Sequence, residues 1–454
     1  MRDKTDYIIV EFSKAIFIYG LVAMSFIGLG FYSFVTLEHE GHWLTGMNNQ
    51  IVWGLPHVFA IFLIIAASGV LNIASISSVF NIKIYKPLGR LSALLAISLL
   101  TGGLIVLVLD LGRPDRLIVA MTTFNFKSIF AWNVFLYSGF MAVVALYLWM
   151  MFEARYNKFV GKVGTFAFAW RVTLTTGTGS IFAFLVAKEA YNGALLAPLF
   201  IALSLLVGTA FFYKILFWMD RGLGIPLGSE IIKRFRKLLV YFIFTVFYIT
   251  ILSHLTNLYV TKNHGYEFFL LFSGNIYTFL FWGCQMIIGT LFPLLILYNK
   301  KLSKSASGLL YASILVLFGG FSMLYVIIIS GQAFPLDLFP GYIERSSFFD
   351  GVEATYVPSI YEFMLGLGGV GIAAAIYLFA IMVLDFTPRS LDNAATAMAN
   401  VPEPVTEEQL EEEKESQEEV VDEKSSVPPD QKTTEELETE EKNKSADEGK
   451  PAEE

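Results

Sequence analysis

The stretch IVWGLPHVFAIFLIIAASGVLNIASISSV, residues 51–79, decides the fold class. It contains no acidic residue, lysine or arginine, and it is long enough to cross the apolar core of a bilayer as a helix. Nine other apolar runs of comparable length lie at about 15–37, 91–110, 128–151, 164–187, 194–218, 238–260, 276–298, 308–330 and 359–385. Membrane-spanning strands are only about ten residues long, so these runs indicate helices. The sequence predicts an all-α integral membrane protein with ten transmembrane helices.

Lysine and arginine predict the orientation of these helices. They are concentrated in alternate connections, at 83–90, 155–162, 221–237 and 300–304, and are sparser in the others. The positive-inside rule then places both termini in the cytoplasm and the chain in the cytoplasmic (inner) membrane. The first run is too long for a signal peptide and has no small-residue cleavage site. All five histidines fall toward the outer face: His39, His42, His57, His254 and His264.

Charge and composition divide the chain further. Residues 402–454 hold 21 acidic and six basic side chains, so the net charge of −8 leaves the rest of the chain positive. Such a segment without aromatic residues is typical of disorder. We expect a cytoplasmic N-terminus at 1–14, a membrane domain at 15–388 and an acidic, disordered cytoplasmic tail at 389–454.

The composition also excludes several functions. A mean hydropathy of +0.59 excludes an ordinary soluble protein. Cys284 is the single cysteine, which excludes internal disulfides and an iron–sulfur cluster on this chain. The sequence has no P-loop, no dinucleotide fingerprint and no Cys/His metal motif. The basic loops follow from topology, so we expect the lipid bilayer, and no nucleic acid, as a partner.

A first polar cluster is predicted near the outer ends of the second, third and fourth runs. It comprises Trp53, His57, Asp110, Arg113, Asn133 and Tyr137. His57 lies about 9 Å inside the predicted start of its helix, with Trp53 one turn above on the same face. An ionisable group inside a membrane costs about 2.5–3.5 kcal/mol, and an imidazole exchanges protons near neutral pH. The cluster therefore predicts a ligand site. The alternative is that Asp110 pairs with Arg113 to cap a helix while His57 bonds to backbone.

A second polar cluster is predicted in the later helices from His254, Asn257, Gln285 and Glu362. His254 matches His57 in depth, which leaves a bis-histidine haem open, although we expect no haem. The hydroxyl run of the fifth helix, Thr173 to Ser180, favours bonds to backbone or helix packing over an inward water path. The loop at 331–358 is aromatic and punctuated by proline, so we expect it to pack on the membrane surface, its own bundle or a partner.

Four motifs resemble the NrfD/polysulfide reductase membrane-subunit family over about residues 15–388. They are Trp53-Gly54 at the start of one helix, AspLeuGlyArgPro (110–114) at the end of the next, Gly289-x-x-x-Pro293, and Pro358-Ser359-x-x-Glu362. The resemblance implies two four-helix bundles, at about 51–187 and 194–330, flanked by the first and last helices. Within the family, TrpGlyLeuProHis (53–57) and the loop motifs at 332–341 and 346–351 are most similar to a branch that serves dissimilatory sulfur metabolism.

The resemblance also implies a function and partners. It implies a quinone, menaquinone or ubiquinone, bound as substrate near the outer face of the first bundle. The implied partners are an extracytoplasmic iron–sulfur subunit, a multihaem cytochrome c and further membrane or cytoplasmic subunits. His57, Asp110 and Arg113 match family positions that handle quinone or protons, whereas Asn133 and Tyr137 are inferred from depth. Gln285 and Leu174 replace a Glu and a His of relatives, which weakens any case for proton pumping through the second bundle.

The sequence thus predicts the membrane subunit of a quinol/quinone oxidoreductase complex, without a complete catalytic apparatus of its own. Three alternatives remain at this stage. They are a structural anchor without a quinone site, a secondary transporter, and a haem-bearing cytochrome b-like subunit. A transporter would need broken helices near the midplane, and the runs hold few charges there.

Overall fold

The computed structural model describes residues 7–191, 193–336 and 351–391. Most of the two predicted loop motifs, at 337–350, and the acidic tail lie outside the described residues. What is described is almost entirely helical. The α-helices are α1 (Lys14–Glu40), α2 (Leu55–Ser78), α3 (Gly89–Leu109), α4 (Leu117–Thr122), α5 (Ile129–Phe152), α6 (Val160–Ala183), α7 (Leu196–Gly222), α8 (Ser229–Tyr259), α9 (His264–Leu271), α10 (Ile276–Phe279), α11 (Phe292–Tyr298), α12 (Ala306–Tyr325), α13 (Gly331–Ala333) and α14 (Ile360–Val383).

Shorter elements connect or extend these helices. Two π-helical segments, Leu280–Leu291 and Val326–Ser330, join α10 to α11 and α12 to α13 into continuous rods. Six 3₁₀ turns occur in the connections, at His42–Leu44, Lys83–Leu88, Pro114–Arg116, Ala154–Phe159, Thr261–Asn263 and Leu302–Lys304. Two-residue strands β1 (Tyr7–Ile8) and β2 (Thr387–Pro388) pair antiparallel.

Nine helical segments within the described residues are long and apolar enough to span a membrane. They correspond to nine of the ten predicted runs, so the chain is a multi-pass membrane protein. The tenth run corresponds to α6, which has the same length as α5 but falls below the hydropathy of the nine. The reason is its content of Arg171, lysine, glycine and hydroxyl side chains.

Helix α2 lies at the centre of the helical body. Most of its apolar window is buried, 89%, compared with 17% for α1. It packs against α3, α6, α7 and α14, while α1 pairs with α14 at the periphery. Helices α7, α8 and α12 pack with the π-helical segment 280–291 as a second group. Large apolar side chains on the outward faces of α1 and α8 remain exposed, as expected for surfaces that face lipid.

Helix boundaries differ from the predicted ones where polar residues continue or delay a helix. The run at 51–79 begins its helix only at Leu55, with Gly54 as the cap and Pro56 in the first turn, a position that proline favours. His57 is therefore the third helical residue, and Trp53 precedes the helix instead of lying one turn above His57 on it. Helix α8 begins at Ser229, well before the predicted 238, because charged residues extend it beyond its apolar part.

The two ends of the helical body meet at one place. Tyr7 pairs with Pro388 and Ile8 with Thr387 in the β1–β2 ladder. Arg90, at the start of α3, lies 2.9 Å from the Asp385 carboxylate and stacks 4.2 Å over the Tyr7 ring. The segments before α1 and after α14 therefore lie at the same end of the molecule.

Candidate functional site

The first polar cluster is centred on His57 and Asp110. His57 projects from the first turn of α2, and Asp110 is the residue that ends α3. The Nδ1 atom of His57 lies 2.9 Å from Oδ2 of Asp110. The imidazole is 23% exposed, whereas the carboxylate is 1% exposed. The sequence-based expectation that these groups meet at one level is thus met by direct contact.

The Asp110 carboxylate has no well-directed hydrogen-bond donor among the described residues. Although His57 is within hydrogen-bonding distance, its ring nitrogen does not satisfy the angle of a hydrogen bond, and both carboxylate oxygens remain without a partner. The two atoms are close, but they are not aligned as a hydrogen bond requires. A buried carboxylate without donors is costly, so this atom pair is a natural place for a ligand that carries a hydroxyl.

A second imidazole lies beside this turn. Gly112 has a φ of +66°, and a Cβ there would lie 3.5 Å from Cε1 of His42, so the His42 ring covers Gly112. The Nε2 atom of His42 is buried without a hydrogen-bond partner in the part of the chain that the structure describes. The turn that follows Asp110 is therefore covered by a polar group with unused hydrogen-bonding capacity.

Arg113 does not pair with Asp110, so the alternative in which this pair caps the helix is not what the structure shows. Its guanidinium instead donates two hydrogen bonds of 3.0 Å to Asp115, and both side chains are well exposed. The hydrogen bond from Arg113 lowers the pKa of Asp115. Arg113 faces away from the buried carboxylate because a closer, solvated partner follows it by two residues.

Trp53 packs in a cluster of aromatic rings between the start of α5 and the end of α6. Its ring contacts Phe130 at the start of α5, Phe182 at the end of α6 and Tyr191 in the next connection, at centroid distances of 5.8, 5.6 and 6.5 Å. Because Trp53 lies four residues before His57 in the chain, these ring contacts fix the segment that leads to the imidazole.

Asn133 and Tyr137 direct their side chains to α6. Asn133 donates to the carbonyls of Ile129 and Gly177, and its Oδ1 is buried without a described partner. The Tyr137 hydroxyl lies 3.2 Å from Oγ1 of Thr178. Their connection to the His57 pair runs through Trp53, whose neighbour Phe130 precedes Asn133 by one turn.

Gln332 fastens the Trp53 segment to the second group of helices. Its Oε1 accepts the backbone N–H groups of Val52 and Trp53, both at 2.9 Å. Its Nε2 donates to the carbonyls of Trp53 and Ile328, at 3.0 and 2.8 Å. The side-chain amide thus uses all four of its hydrogen-bonding positions and is only 3% exposed.

Tyr356 and Glu362 hold the same segment from the other side. The Leu55 N–H donates to the Tyr356 hydroxyl, and that hydroxyl donates to Oε1 of Glu362, both at 2.6 Å. Oε2 of Glu362 accepts N–H groups from Gly46 and from its capping partner Ser359. Burial and the hydrogen bond to Glu362 raise the pKa of Tyr356. Glu362 therefore belongs beside the start of α2, and its predicted grouping with His254 does not match these contacts.

A further contact joins the connection between α6 and α7 to the segment around Gln332. Lys188 donates to the carbonyls of Gln332 and Phe334, at 3.1 and 3.2 Å. Burial lowers the pKa of this lysine.

We call Gln332, Tyr356 and Glu362 the polar clamp, because together they fix residues 46–55 ahead of His57.

The second polar cluster is assembled around a residue that the sequence did not single out. Nδ1 of His254 lies 2.8 Å from Oε2 of Glu267, which is fully buried on α9. Asn257 donates to the other carboxylate oxygen at 2.8 Å and accepts from Asn263 at 3.1 Å. Gln285 and Thr250 line a small cavity between α8 and the π-helical segment 280–291.

The hydroxyl run of α6 bonds to backbone, as the sequence favoured. Thr173, Thr176 and Thr178 each donate to the carbonyl four residues earlier. Arg171 is buried, and one of its nitrogens donates to Asn72 at 3.0 Å. Among the described residues its Nε and Nη1 have no partner.

The match to a known family spans residues 43–336, more than half of the chain, and the family is described as "Polysulphide reductase, NrfD". The chain belongs to the NrfD family.

Three curated relatives agree with this membership. The "Hdr-like menaquinol oxidoreductase integral membrane subunit" of Archaeoglobus fulgidus is 28% identical over 363 residues, 79% of this chain and 91% of the relative. A putative dimethyl sulfoxide reductase membrane subunit of Halobacterium salinarum is 24% identical over 82% of this chain and 92% of that protein. A selenate reductase subunit of Mesobacillus selenatarsenatis is also 24% identical, over 79% and 92%. By name, all three are subunits of oxidoreductases, and the first two are membrane subunits.

Sequence analysis of this NrfD-family chain missed four site residues: His42, Glu267, Gln332 and Tyr356. Each lies in a connection or a short helix, outside the apolar runs on which the search depended. A usable signal for Glu267 was its position between two runs, ten residues after Asn257. Gln332 was visible only as the first residue of a loop motif, and its contacts to 52–53 span 280 positions of sequence.

Proposed function

We propose that this NrfD-family chain is the quinone-interacting membrane subunit of a multi-subunit redox complex. It exchanges electrons between the membrane quinone pool and an extracytoplasmic iron–sulfur subunit. The observation that carries the proposal is the buried Asp110 carboxylate, which touches His57 and has no directed donor among the described residues.

The residues fit the head group of a quinol. A quinol hydroxyl supplies the donor that the Asp110 oxygens lack, and His57 is positioned to accept a proton while Asp110 stabilises the resulting imidazolium. Trp53 and its aromatic neighbours form an apolar wall beside this polar pair. When bound, the quinone provides the redox chemistry, while the chain binds it, orients it and accepts its protons.

The Archaeoglobus relative supports a menaquinol-class ligand through its printed name. We extend to this chain the iron–sulfur partner, a multihaem cytochrome c and further subunits that the family resemblance implies. At finer resolution the motifs of the outer loop resemble DsrP, the membrane subunit of the DsrMKJOP complex, which favours a role in dissimilatory sulfur metabolism.

We propose ten crossings, with both termini in the cytoplasm and the outer polar cluster on the opposite side of the inner membrane. The β1–β2 ladder supports this count, since segments before α1 and after α14 that lie side by side require an even number of crossings. Nine segments are apolar enough by themselves, so α6 supplies the tenth. The division into bundles at about 51–187 and 194–330 is part of the same proposal.

The experiment compares Asp110→Asn with Asp115→Asn in the assembled complex. Asp110→Asn keeps the shape but removes the charge that stabilises a protonated His57, so quinol-dependent electron transfer should fall by about 100-fold or more. Asp115→Asn changes an exposed carboxylate five residues away and should leave the rate within about twofold.

The amount of each partner in the purified complex, and electron transfer to those partners from an artificial donor, serve as controls for assembly. An undiminished quinol rate in Asp110→Asn would remove the carboxylate from the site and contradict the proposal.

A further inference from the structure

The second polar cluster repeats the chemistry of the first. In each case an imidazole Nδ1 contacts a buried carboxylate, at 2.9 Å for His57–Asp110 and 2.8 Å for His254–Glu267. In each case the carboxylate is almost fully buried and the imidazole is a little over one fifth exposed. The two pairs stand on different groups of packed helices.

Both pairs lie at the same end of the helical body. Tyr266, next to Glu267, lies 2.9 Å from the Ser330 hydroxyl, and its ring contacts Phe334. Two residues after Ser330, Gln332 holds Trp53, which leads into His57. A short segment, residues 330–334, therefore connects the surroundings of the two pairs.

The His254 pair is the better aligned of the two. The Glu267 carboxylate accepts from His254 on one oxygen and from Asn257 on the other. When the imidazole is neutral, the carboxylate fixes its proton on Nδ1 and leaves Nε2 as an acceptor. No described residue donates to that Nε2. Asn257 and Asn263 could have satisfied each other without a buried charge, and a fully buried carboxylate is expensive to keep for packing alone.

The surroundings of His254 open to the lipid. The ring meets Phe281 edge-on at 4.9 Å, on the π-helical segment 280–291. Leu255 and Trp282, the next residues on the two helices, are 57% and 47% exposed. One turn further in, Thr250 and Gln285 line the cavity between the same helices. Insertions of π-helix frequently mark functional positions.

We propose that His254 and Glu267 form a second binding position for the hydroxyl head group of a quinol-class amphiphile. A ligand for this position must arrive through lipid, present an apolar ring to Phe281 and donate a hydrogen bond to Nε2 of His254. A quinol meets all three conditions. The inference rests on the proposed function for the class of ligand, and it assigns binding only, with no electron transfer at this position.

The test uses the full chain in lipid nanodiscs and a tritiated azidoquinone with an isoprenoid tail, reduced and then photolysed. Labelled peptides are mapped by mass spectrometry. We expect saturable labelling at two regions, one around residues 53–57 and one around 254–285. His254→Ala and Glu267→Gln should each reduce labelling of the second region about tenfold, the effect of losing one hydrogen bond to a charge-supported group. Both should leave the first region unchanged.

Matched variants separate the outcomes. His57→Ala should reduce only the first region, and His264→Ala is the control, because its exposed imidazole contacts the Leu258 carbonyl and takes no part in either pair. Glu267→Gln preserves the shape of the site if His254→Ala fails to fold. Labelling around 53–57 alone overturns the second position and leaves the proposed function standing. Labelling of 254–285 that neither variant reduces also overturns it. Labelling at neither region overturns both proposals.

Discussion

At the level of single residues, Asp110 and Asp115 are five positions apart but differ in exposure to solvent. Asp115 is solvated and held by Arg113, whereas Asp110 is buried, touches His57 and has no directed donor in the part of the chain that the structure describes. A solvated ion pair contributes little, because water screens it and two side chains must be ordered. The buried carboxylate is therefore the group whose cost requires a ligand.

Arg113 offers a direct prediction from this contrast. Arg113→Gln should change quinol-dependent electron transfer by less than about twofold, since the side chain is engaged with Asp115 in solvent. The measurement is the steady-state rate at equal amounts of assembled complex, with Lys127→Gln as the control for loss of a positive charge in the same connection. A loss above tenfold in Arg113→Gln alone would return this residue to the quinone site.

The residue scale shows what a single sequence can and cannot predict. His57 and Asp110 were predicted to meet because both sit at the outer ends of adjacent apolar runs. Arg113 was predicted in the same polar cluster, but Asp115, two residues away, binds its guanidinium instead. Glu267 was missed because α9, with eight residues, is too short to register as a span, although it lies against α8.

The start of α2 is organised at the scale of elements. Gln332 from α13 and the Tyr356–Glu362 pair at α14 hold residues 46–55 by hydrogen bonds from two directions. These contacts fix the direction of the backbone just ahead of His57. They are long-range in sequence, so no local pattern predicts them.

Gln332→Leu tests the polar clamp. It removes the hydrogen-bond acceptor of the part-buried Val52 and Trp53 N–H groups, at about 0.5–1.5 kcal/mol for each bond lost, and should lower the thermal stability. Because the released segment carries His57, the KM for quinol should rise several-fold more than kcat falls. Gln50→Leu is the control, since the Gln50 amide donates two longer hydrogen bonds, of 3.3 and 3.2 Å, to the carbonyls of Ala333 and Val352. An unchanged KM in a destabilised Gln332→Leu would limit the clamp to a structural role.

The crossing of α2 and α7 gives a prediction about stability. A Cβ on Gly69 would lie 1.7 Å from the Ser204 carbonyl oxygen and 2.8 Å from Cα of Gly208. Gly69→Ala must force these backbones apart, which typically costs about 1–3 kcal/mol. Gly28→Ala, where nothing lies within 4 Å, should be neutral or slightly stabilising. Thermal unfolding of the two variants in the same detergent measures the difference, and equal midpoints would contradict the close crossing.

Existence and order of the helices were predictable because a bilayer demands long apolar runs. Their boundaries were less so. Polar residues extend α8 at its N-terminal end. Gly54 and Pro56 make α2 begin at Leu55, so the distance of His57 from the start of its helix was overestimated from the run alone. The π-helical segments carry no sequence signal that apolar periodicity can detect, since they alter hydrogen bonding without altering composition.

At the scale of the described helical body, the ladder between β1 and β2 places the segment before α1 beside the segment after α14. A chain whose ends meet on one side must cross the membrane an even number of times. Nine described segments are apolar enough to do so, and α6 is the remaining long helix, buried against α2, α5 and α7. Contact with other helices shields Arg171, Thr175 and Thr178 from lipid, so α6 can cross although its hydropathy is low.

Cysteine accessibility tests this topology. In a Cys284→Ser background, Glu153→Cys and Val186→Cys place exposed thiols before and after α6. If α6 crosses, an impermeant maleimide applied to intact cells should label Val186→Cys, whereas Glu153→Cys should require permeabilisation. Arg389→Cys, an exposed position just after β2, reports the side on which both ends lie and should behave like Glu153→Cys. Labelling of Glu153→Cys and Val186→Cys from the same side would leave an odd number of crossings, which is incompatible with paired ends.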